Sequence, residues 1–443
     1  MSKPVCLVTA PVGTRSGYGA HARDIVRALI KLDKYDIKIW SVKWGSTPLN
    51  ALEKGNPNDD MIIERLLMEP TLPQQPEIHI HIVIPNEFQT FGKYNIGITA
   101  GLECTAIPHK WVEGLNQMDL NIVPSNFVKQ SVTSTSFDVM DEQTKQLKGR
   151  IKVEKPVEVL FEGTDTNIFK QTKEFSELFV KEMKNVKESF NFLYTGHWLQ
   201  GKLGEDRKDT GMLVKVFLET FKDKKNAPGL IMKTSGAGFS VIDREDILKK
   251  IRDIQKTVKA KTLPSVYLLH GDFTDDEMNE LYNHPKVKAH VNITHGEGFG
   301  RPLLEASISG KPVIASNWSG HLDFLSKELA ILVGGKLSQV PKSSFPKDMH
   351  IEGTEWFTVN YNEFSAVLRE VHKNYKKYTL NSLKLSKINK SLYSLDKMTK
   401  ELGVILDKYV PEFPKEVKLE LPKLKKVGQS ETPKMKLPKL KKV

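Results

Sequence analysis

Two carboxylates, Glu297 and Glu305, flank a glycine-bearing turn in the stretch Thr294-His295-Gly296-Glu297-Gly298-Phe299-Gly300-Arg301-Pro302-Leu303-Leu304-Glu305. A strand-like apolar run, Val287 to Ile293, leads in, and a helix-like run, Pro302 to Ser309, leads out. Glycines let the backbone turn sharply and meet a ligand closely. Pro302 suits the first turn of a helix, where its missing N–H is no loss. Free N–H groups and the helix dipole then point the same way and make an anion site. An anion cradle with carboxylates beside it suits a ligand with both phosphates and hydroxyls, such as a nucleotide sugar.

Such a turn works only when strands and helices hold it, and the chain supplies them twice. In the first half, Pro4 to Ala10 reads as a buried parallel strand. Gly13-Thr14-Arg15-Ser16-Gly17-Tyr18-Gly19 follows, then helical spacing from His21 to Leu32. Strand, glycine loop and helix open a nucleotide-binding βαβ unit, although the glycines do not follow GxGxxG. Further strands are expected at Tyr35–Val42, Glu77–Ile84, Tyr94–Thr99, Met118–Pro124 and Val157–Leu160, with a short helix at Met61–Met68 and one capped by Ser125. Gln171 to Glu188 reads as a connecting helix. Strands at Phe190–Tyr194, Leu230–Lys233, Val266–Leu269 and Pro312–Ala315 then alternate with helices at Gly211–Phe221, Asp243–Val258 and Asp275–Tyr282. Helices at Asn362–Lys377 and Leu392–Tyr409 close the fold. Regular alternation implies α/β architecture with parallel sheets.

The chain has 443 residues, room for two domains and a tail. The expected division is 1–168, a Rossmann-like acceptor-side domain; 169–189, a connection; 190–385, a Rossmann-like nucleotide-sugar domain; 386–410, a closing helix; and 411–443, a basic low-complexity tail. Cys6 and Cys104 show no metal-ligand spacing, which points to a reduced, cytoplasmic protein. A strand beginning at Val5 leaves no room for a signal peptide, and no apolar run has the length to span a bilayer. The formal charge is +12, which favours acidic partners. Ten Lys against four Glu between Pro411 and Val443 give a net of +6, half of that excess. There Leu421-Pro422-Lys423-Leu424-Lys425-Lys426-Val427 recurs as Leu437-Pro438-Lys439-Leu440-Lys441-Lys442-Val443. A solubilising tail and a tether for DNA or an anionic membrane surface are both open readings, the latter making the protein peripheral to a membrane.

Taken together, these residues resemble the retaining family-4 glycosyltransferases of the GT-B fold. The resemblance rests on Gly271-Asp272-Phe273, Glu297 to Gly300, Pro302, Glu305-Ala306 and Gly310 to Ala315, with Val123-Pro124-Ser125 and Glu162-Gly163-Thr164-Asp165 in the first half. It implies two Rossmann-like domains facing across a cleft. It further implies that Glu297 lies near the donor sugar, that Gly298, Phe299 and Gly300 meet sugar and diphosphate through the backbone, and that Glu305 binds the ribose. By the same resemblance Arg207 and Lys208 neutralise the diphosphate, and Gly17 and Gly19 lie over it. Gly196, at the end of the Phe190–Tyr194 strand, joins the donor-binding set. The family's first-domain histidine has no clear counterpart, since Gly101-Leu102-Glu103 occupies that region; Glu103 and His109 are the acceptor-side candidates.

These readings converge on a retaining transferase that moves a hexose from a nucleotide-diphosphate sugar to a glycan or lipid-linked acceptor. No Asp-x-Asp or His/Cys cluster falls at a strand end, so neither a metal nor another cofactor is expected. Two alternatives stay open. One keeps the chemistry and changes the acceptor to a hydroxymethylated base in DNA, as in phage modification enzymes. The other is a non-catalytic scaffold that binds a nucleotide sugar or DNA. Bland readings accompany each residue: Glu305 as a helix-surface carboxylate, Arg207 and Lys208 as a solvated loop, and His295 as a satisfied strand-end histidine.

Overall fold

In a computed structural model, which describes residues 3–414 except 70, 142, 143, 145, 200, 237 and 345–350, the alternation builds two separate parallel sheets. The repeated Leu-Pro-Lys motif, and with it the expected contact of the tail with DNA or an anionic surface, lies outside the described residues.

The first half runs β1 (Val5–Ala10), α1 (Gly17–Leu32), β2 (Asp36–Ser41), α2 (Pro57–Ile63), β3 (Ile78–Ile82), β4 (Tyr94–Ile98), α3 (His109–Gln117), β5 (Leu120–Val123), α4 (Asn126–Ser134), β6 (Ser136–Met140), β7 (Leu147–Lys152) and β8 (Val157–Val159). Its sheet has the order β2-β1-β3-β4-β5-β8. The second half runs α5 (Glu177–Met183), β9 (Asn191–His197), α6 (Thr210–Phe221), β10 (Gly229–Ser235), α7 (Val241–Thr257), β11 (Val266–Leu269), α8 (Asp275–Asn283), β12 (Val287–Asn292), α9 (Arg301–Ile308), β13 (Val313–Ser316), β14 (Ile331–Val333), β15 (Gly335–Gln339), β16 (Glu355–Val359), α10 (Tyr361–Lys373), α11 (Lys376–Leu392) and α12 (Leu395–Tyr409). Its sheet has the order β11-β10-β9-β12-β13-β14.

Local chemistry sets the ends of these elements. Ser16 caps α1 by accepting from Gly19 N–H, and Ser125 caps α4 by accepting from Val128 N–H. Thr274 and Glu277 form a reciprocal capping box at α8. Gly300 precedes α9 with φ 96°, a left-handed conformation that a side chain would strain. Apolar strand residues such as Val8, Ile80, Phe192 and Met232 are fully buried against the flanking helices.

Several elements differ from the sequence reading. α1 begins at Gly17 rather than His21, because Ser16 provides the cap. α2 spans Pro57–Ile63 rather than Met61–Met68, with Asn56 as its cap and Pro57 in its first turn. The expected connecting helix over Gln171–Glu188 shrinks to α5, which Ser176 starts. β9 runs on through Gly196 to His197. The hairpin of β6 and β7 is mostly exposed, so it carries no buried apolar run to read. α11 separates the two closing helices. Its buried face is Ser382, Leu385, Ser386 and Asn389, and it docks on α9 by polar contacts: Ser386 Oγ donates to Ile308 O at 2.6 Å and Asn389 Nδ2 to Ser307 Oγ at 2.8 Å.

The halves meet closely. Ser125 Oγ donates to Gly298 O at 2.6 Å, and Asn126 N–H to Asp323 Oδ2 at 2.9 Å. α12 returns to the first half, where Leu32 lies 3.0 Å from the position a Gly403 Cβ would take. A Cβ at Gly298 would sit 2.2 Å from Ala100 O, a backbone atom that cannot step aside. Gly298→Ala is therefore expected to destabilise the chain by about 1–3 kcal/mol, as overpacking does. Urea denaturation measures this, and an unchanged midpoint would mean that the halves do not pack there.

Candidate functional site

A cavity of about 220 Å³ lies between the carboxyl ends of the two sheets. The first half contributes Arg15, Ser16 and Arg23, and the second Thr195, Gly196, His197, Lys233, Asp272 and Glu305. Sheet ends of this kind gather loops and helix N-termini, which is why ligands settle there. Each cation is held. Arg23 donates to Val12 O at 2.9 Å and Thr14 O at 2.8 Å, which fixes the loop after β1. Lys233 Nζ donates to Gly271 O at 2.8 Å and stands 4.8 Å from the centre of the Phe273 ring. Burial lowers the Lys233 ammonium pKa, while Asp272 and Glu277 oppose that shift. Arg15 reaches across the cleft, its Nε 3.1 Å from Asp272 Oδ2 but not aligned as a hydrogen bond.

Beside this cavity Lys208 Nζ lies 2.5 Å from both oxygens of Glu297. Burial pushes the Glu297 carboxyl up, but Lys208 and Arg207 outweigh it and hold it below its ordinary value. Arg207 pairs with Glu103, so the expected basic pair divides between one carboxylate of each half. The loop that carries the pair is not a solvated one. Asp206 in it is buried and accepts from Thr210 N–H at 2.8 Å, which fixes the start of α6.

Glu305 is 9% exposed, not a surface carboxylate. Arg301 Nε donates to Glu305 Oε1 at 2.8 Å, and the same guanidinium donates from Nη1 to Asp24 Oδ2, in the first half, at 2.6 Å. Tyr282 Oη adds a contact of 3.3 Å to Glu305 Oε2. Burial still prevails over Arg301 and raises the Glu305 pKa to about 7. Glu162 stands near the same guanidinium, and burial raises it to about 7 as well. One cation thus serves three acids.

The remaining candidates separate. Gly196 lines the cavity. Gly17 and Gly19 belong to the first turn of α1, and the Gly19 N–H is already taken by Ser16. Gly298 and Gly300 bring the turn against the first half and into α9. The Phe299 ring is buried with Leu303 and Phe324, so only its backbone can face a ligand. His109 opens α3, 3.5 Å from Glu113 and beside Phe137, outside the residues that line the cavity. His295 Nδ1–H donates to Phe357 O at 2.7 Å, and the ring stacks on Trp356. Sequence reasoning missed Arg15, Arg23, Lys233, Arg301, Asp24 and Glu162 as site residues. Arg301 had a readable signal, since it precedes Glu305 by one helical turn. Asp24 had none.

The cleft therefore gathers cations from both halves and a helix N-terminus, with carboxylates among them. Among the described residues, no helix is long and apolar enough to cross a membrane, and no group of three or more His, Cys, Asp or Glu is placed to hold a metal ion.

No protein-family model matches the chain, and no curated protein matches it in sequence. Solved structures do match in fold. A glycosyltransferase of Rickettsia africae aligns with a TM-score of 0.59 and 14% identity, over 93% of this chain and 99% of that one. HepE of Anabaena gives 0.58 and 11%, over 91% and 100%. Sucrose-phosphate synthase of Thermosynechococcus elongatus gives 0.57 and 11%, over 92% and 98%. The likeness is one of architecture: two parallel sheets with helices and a cleft between them, the GT-B arrangement.

The raised acids give a pH signature. An acid protonated in the folded state stabilises fully below its unfolded pKa, near 4.5, and loses that stability as pH rises through about 7. Glu162→Gln keeps the neutral shape at every pH. Its melting temperature relative to the native chain should climb between pH 5 and 8, and a parallel pair of curves would show that Glu162 is not held neutral.

Proposed function

We propose that the chain transfers a hexosyl unit from a nucleotide-diphosphate sugar with retention of configuration and without a metal. The observation that carries this reading is the cleft itself, in which Arg15, Arg23 and Lys233 face Glu305 from both halves. The Anabaena relative in fold was solved with UDP and glucose, which supports the same class of donor.

In this reading the bond between the sugar's anomeric carbon and the diphosphate oxygen breaks as the acceptor hydroxyl attacks. Negative charge grows on the leaving phosphate, and a site accelerates the step only if it binds that charge more strongly as it forms. Arg15, Lys233 and the N–H groups at the start of α1 provide this from fixed positions. Arg207 and Lys208 add to it when the diphosphate competes with Glu103 and Glu297 for them. The departing phosphate oxygen takes the acceptor's proton, so no separate base is required. Glu305 accepts from ribose hydroxyls and Glu297 from the sugar's. The acceptor is a glycan or a lipid-linked saccharide.

Each oriented charge partner of this kind contributes about 2.7–4 kcal/mol to lowering the barrier. Lys208→Met should therefore cut turnover of a UDP- or GDP-sugar by about a hundredfold or more. Glu305→Ala should weaken donor binding and leave the circular dichroism spectrum intact. Native turnover in both variants would sink the assignment.

A further inference from the structure

The first sheet carries a second cavity, of about 820 Å³, that shares no lining residue with the Arg15–Lys233 cleft. It lies on the sheet face that presents Leu7 and Thr9, and is also lined by Leu67, Leu72, Gln74 and Gln75 and by Glu87, Gln89 and Phe91. Strand register builds its floor. Thr9 is paired with Trp40 of β2 on one side and with His81 of β3 on the other, so these side chains stand in one row across adjacent strands.

Hydrogen bonding fixes where the floor's protons point. Gln89 N–H donates to His81 Nδ1 at 3.1 Å, and Phe91 N–H to His79 Nδ1 at 3.4 Å. The His81 imidazole must then carry its proton on Nε2 when neutral. Burial keeps both rings neutral, with the His81 pKa lowered to about 4 and that of His79 to about 3. His79 Nε2 and Thr9 Oγ1 share a hydrogen bond of 2.9 Å, which fixes the Thr9 hydroxyl on the floor beside His81. Among the described residues His81 Nε2 has no protein acceptor. The floor therefore offers one donor, His81 Nε2–H, that awaits an oxygen acceptor, with the Thr9 hydroxyl beside it. Trp40 and Phe91 supply aromatic walls, and the exposed Gln74 and Gln89 bring carboxamides to the mouth.

These groups exclude two ligand classes. Lys43 and Glu87 leave the lining without net charge and His81 is neutral, so the cavity lacks the clustered cations that hold an anion. A wholly apolar ligand would bury the His81 donor without a partner. An uncharged ring with hydroxyls around its edge and an apolar face matches both the donor and the aromatic walls.

We propose that this cavity binds an uncharged saccharide unit, its ring face against Trp40 and Phe91, one oxygen accepting from His81 and a hydroxyl meeting that of Thr9. The site is separate from the diphosphate cleft, and the proposal stands without the donor reading.

Saturation-transfer NMR and calorimetry on the full chain test it, with neutral gluco-, manno-, galacto- and N-acetylglucosamine oligosaccharides as probes and no nucleotide present. At least one should bind saturably. Trp40→Ala and Thr9→Val should weaken that binding about tenfold or more. Phe91→Ala changes a side chain that is 48% exposed, so the fold tolerates it, and it should weaken binding likewise. UDP affinity should stay unchanged in all three. Failure of every neutral saccharide to bind, or binding that survives Phe91→Ala and Trp40→Ala undiminished, would overturn the proposal. Saccharide binding without nucleotide binding would uphold this pocket and sink the donor reading instead.

Discussion

Charge buried at the join between the halves constrains everything else. Lys208 with Glu297, Arg207 with Glu103, and Arg301 with Asp24 and Glu305 are ion pairs held away from water. Losing one partner of such a pair strands the other charge, at a cost of several kcal/mol. Two of these sets cross from one half to the other, so the same interactions that keep the charges paired also hold the cleft walls together. In the proposed function a phosphate-bearing ligand would displace a carboxylate from an arginine or lysine here, because it replaces one anion by another. Nothing uncharged can do so at comparable cost.

Backbone geometry delivers these side chains. The turn from β12 to α9 packs its glycine backbone against Ala100, which brings Glu297 within reach of Lys208. The left-handed Gly300 then aims α9 so that Arg301 and Glu305 share one face. On the first half, the loop after β1 is pinned by Arg23 and ended by the Ser16 cap, which places Arg15 over the cleft. A row of side chains across β2, β1 and β3 makes the floor of the second cavity from the same sheet. One sheet thus contributes to both recesses, through its carboxyl edge in one case and its face in the other.

How much of this could be read from the sequence depended on whether a residue's partner was near in the chain. The strand at Val266–Leu269 and the helix that Thr274 starts were legible because their signals are local: an apolar run, and a cap with its acid three residues on. The Glu297–Glu305 turn was legible for the same reason. α11 was not, because it buries serines and an asparagine while leaving Leu380 61% exposed, which inverts the hydrophobic pattern. Arg301 and Asp24 lie 277 residues apart, and no spacing rule connects them. The division of Arg207 and Lys208 between Glu103 and Glu297 is likewise a tertiary fact. Register across three strands, which sets Trp40, Thr9 and His81 in a row, is equally invisible until the sheet order is known.

Two recesses differ in chemistry, one charged and shared between the halves, one without net charge and confined to the first. The central claim is that the cations of the shared cleft receive a diphosphate. Calorimetric titration of UDP into the native chain and into Arg15→Ala tests it most directly. The account predicts saturable binding that weakens in the variant by about tenfold or more, ~1.4 kcal/mol. Equal affinity in the two proteins, or no binding by the native chain, would contradict it.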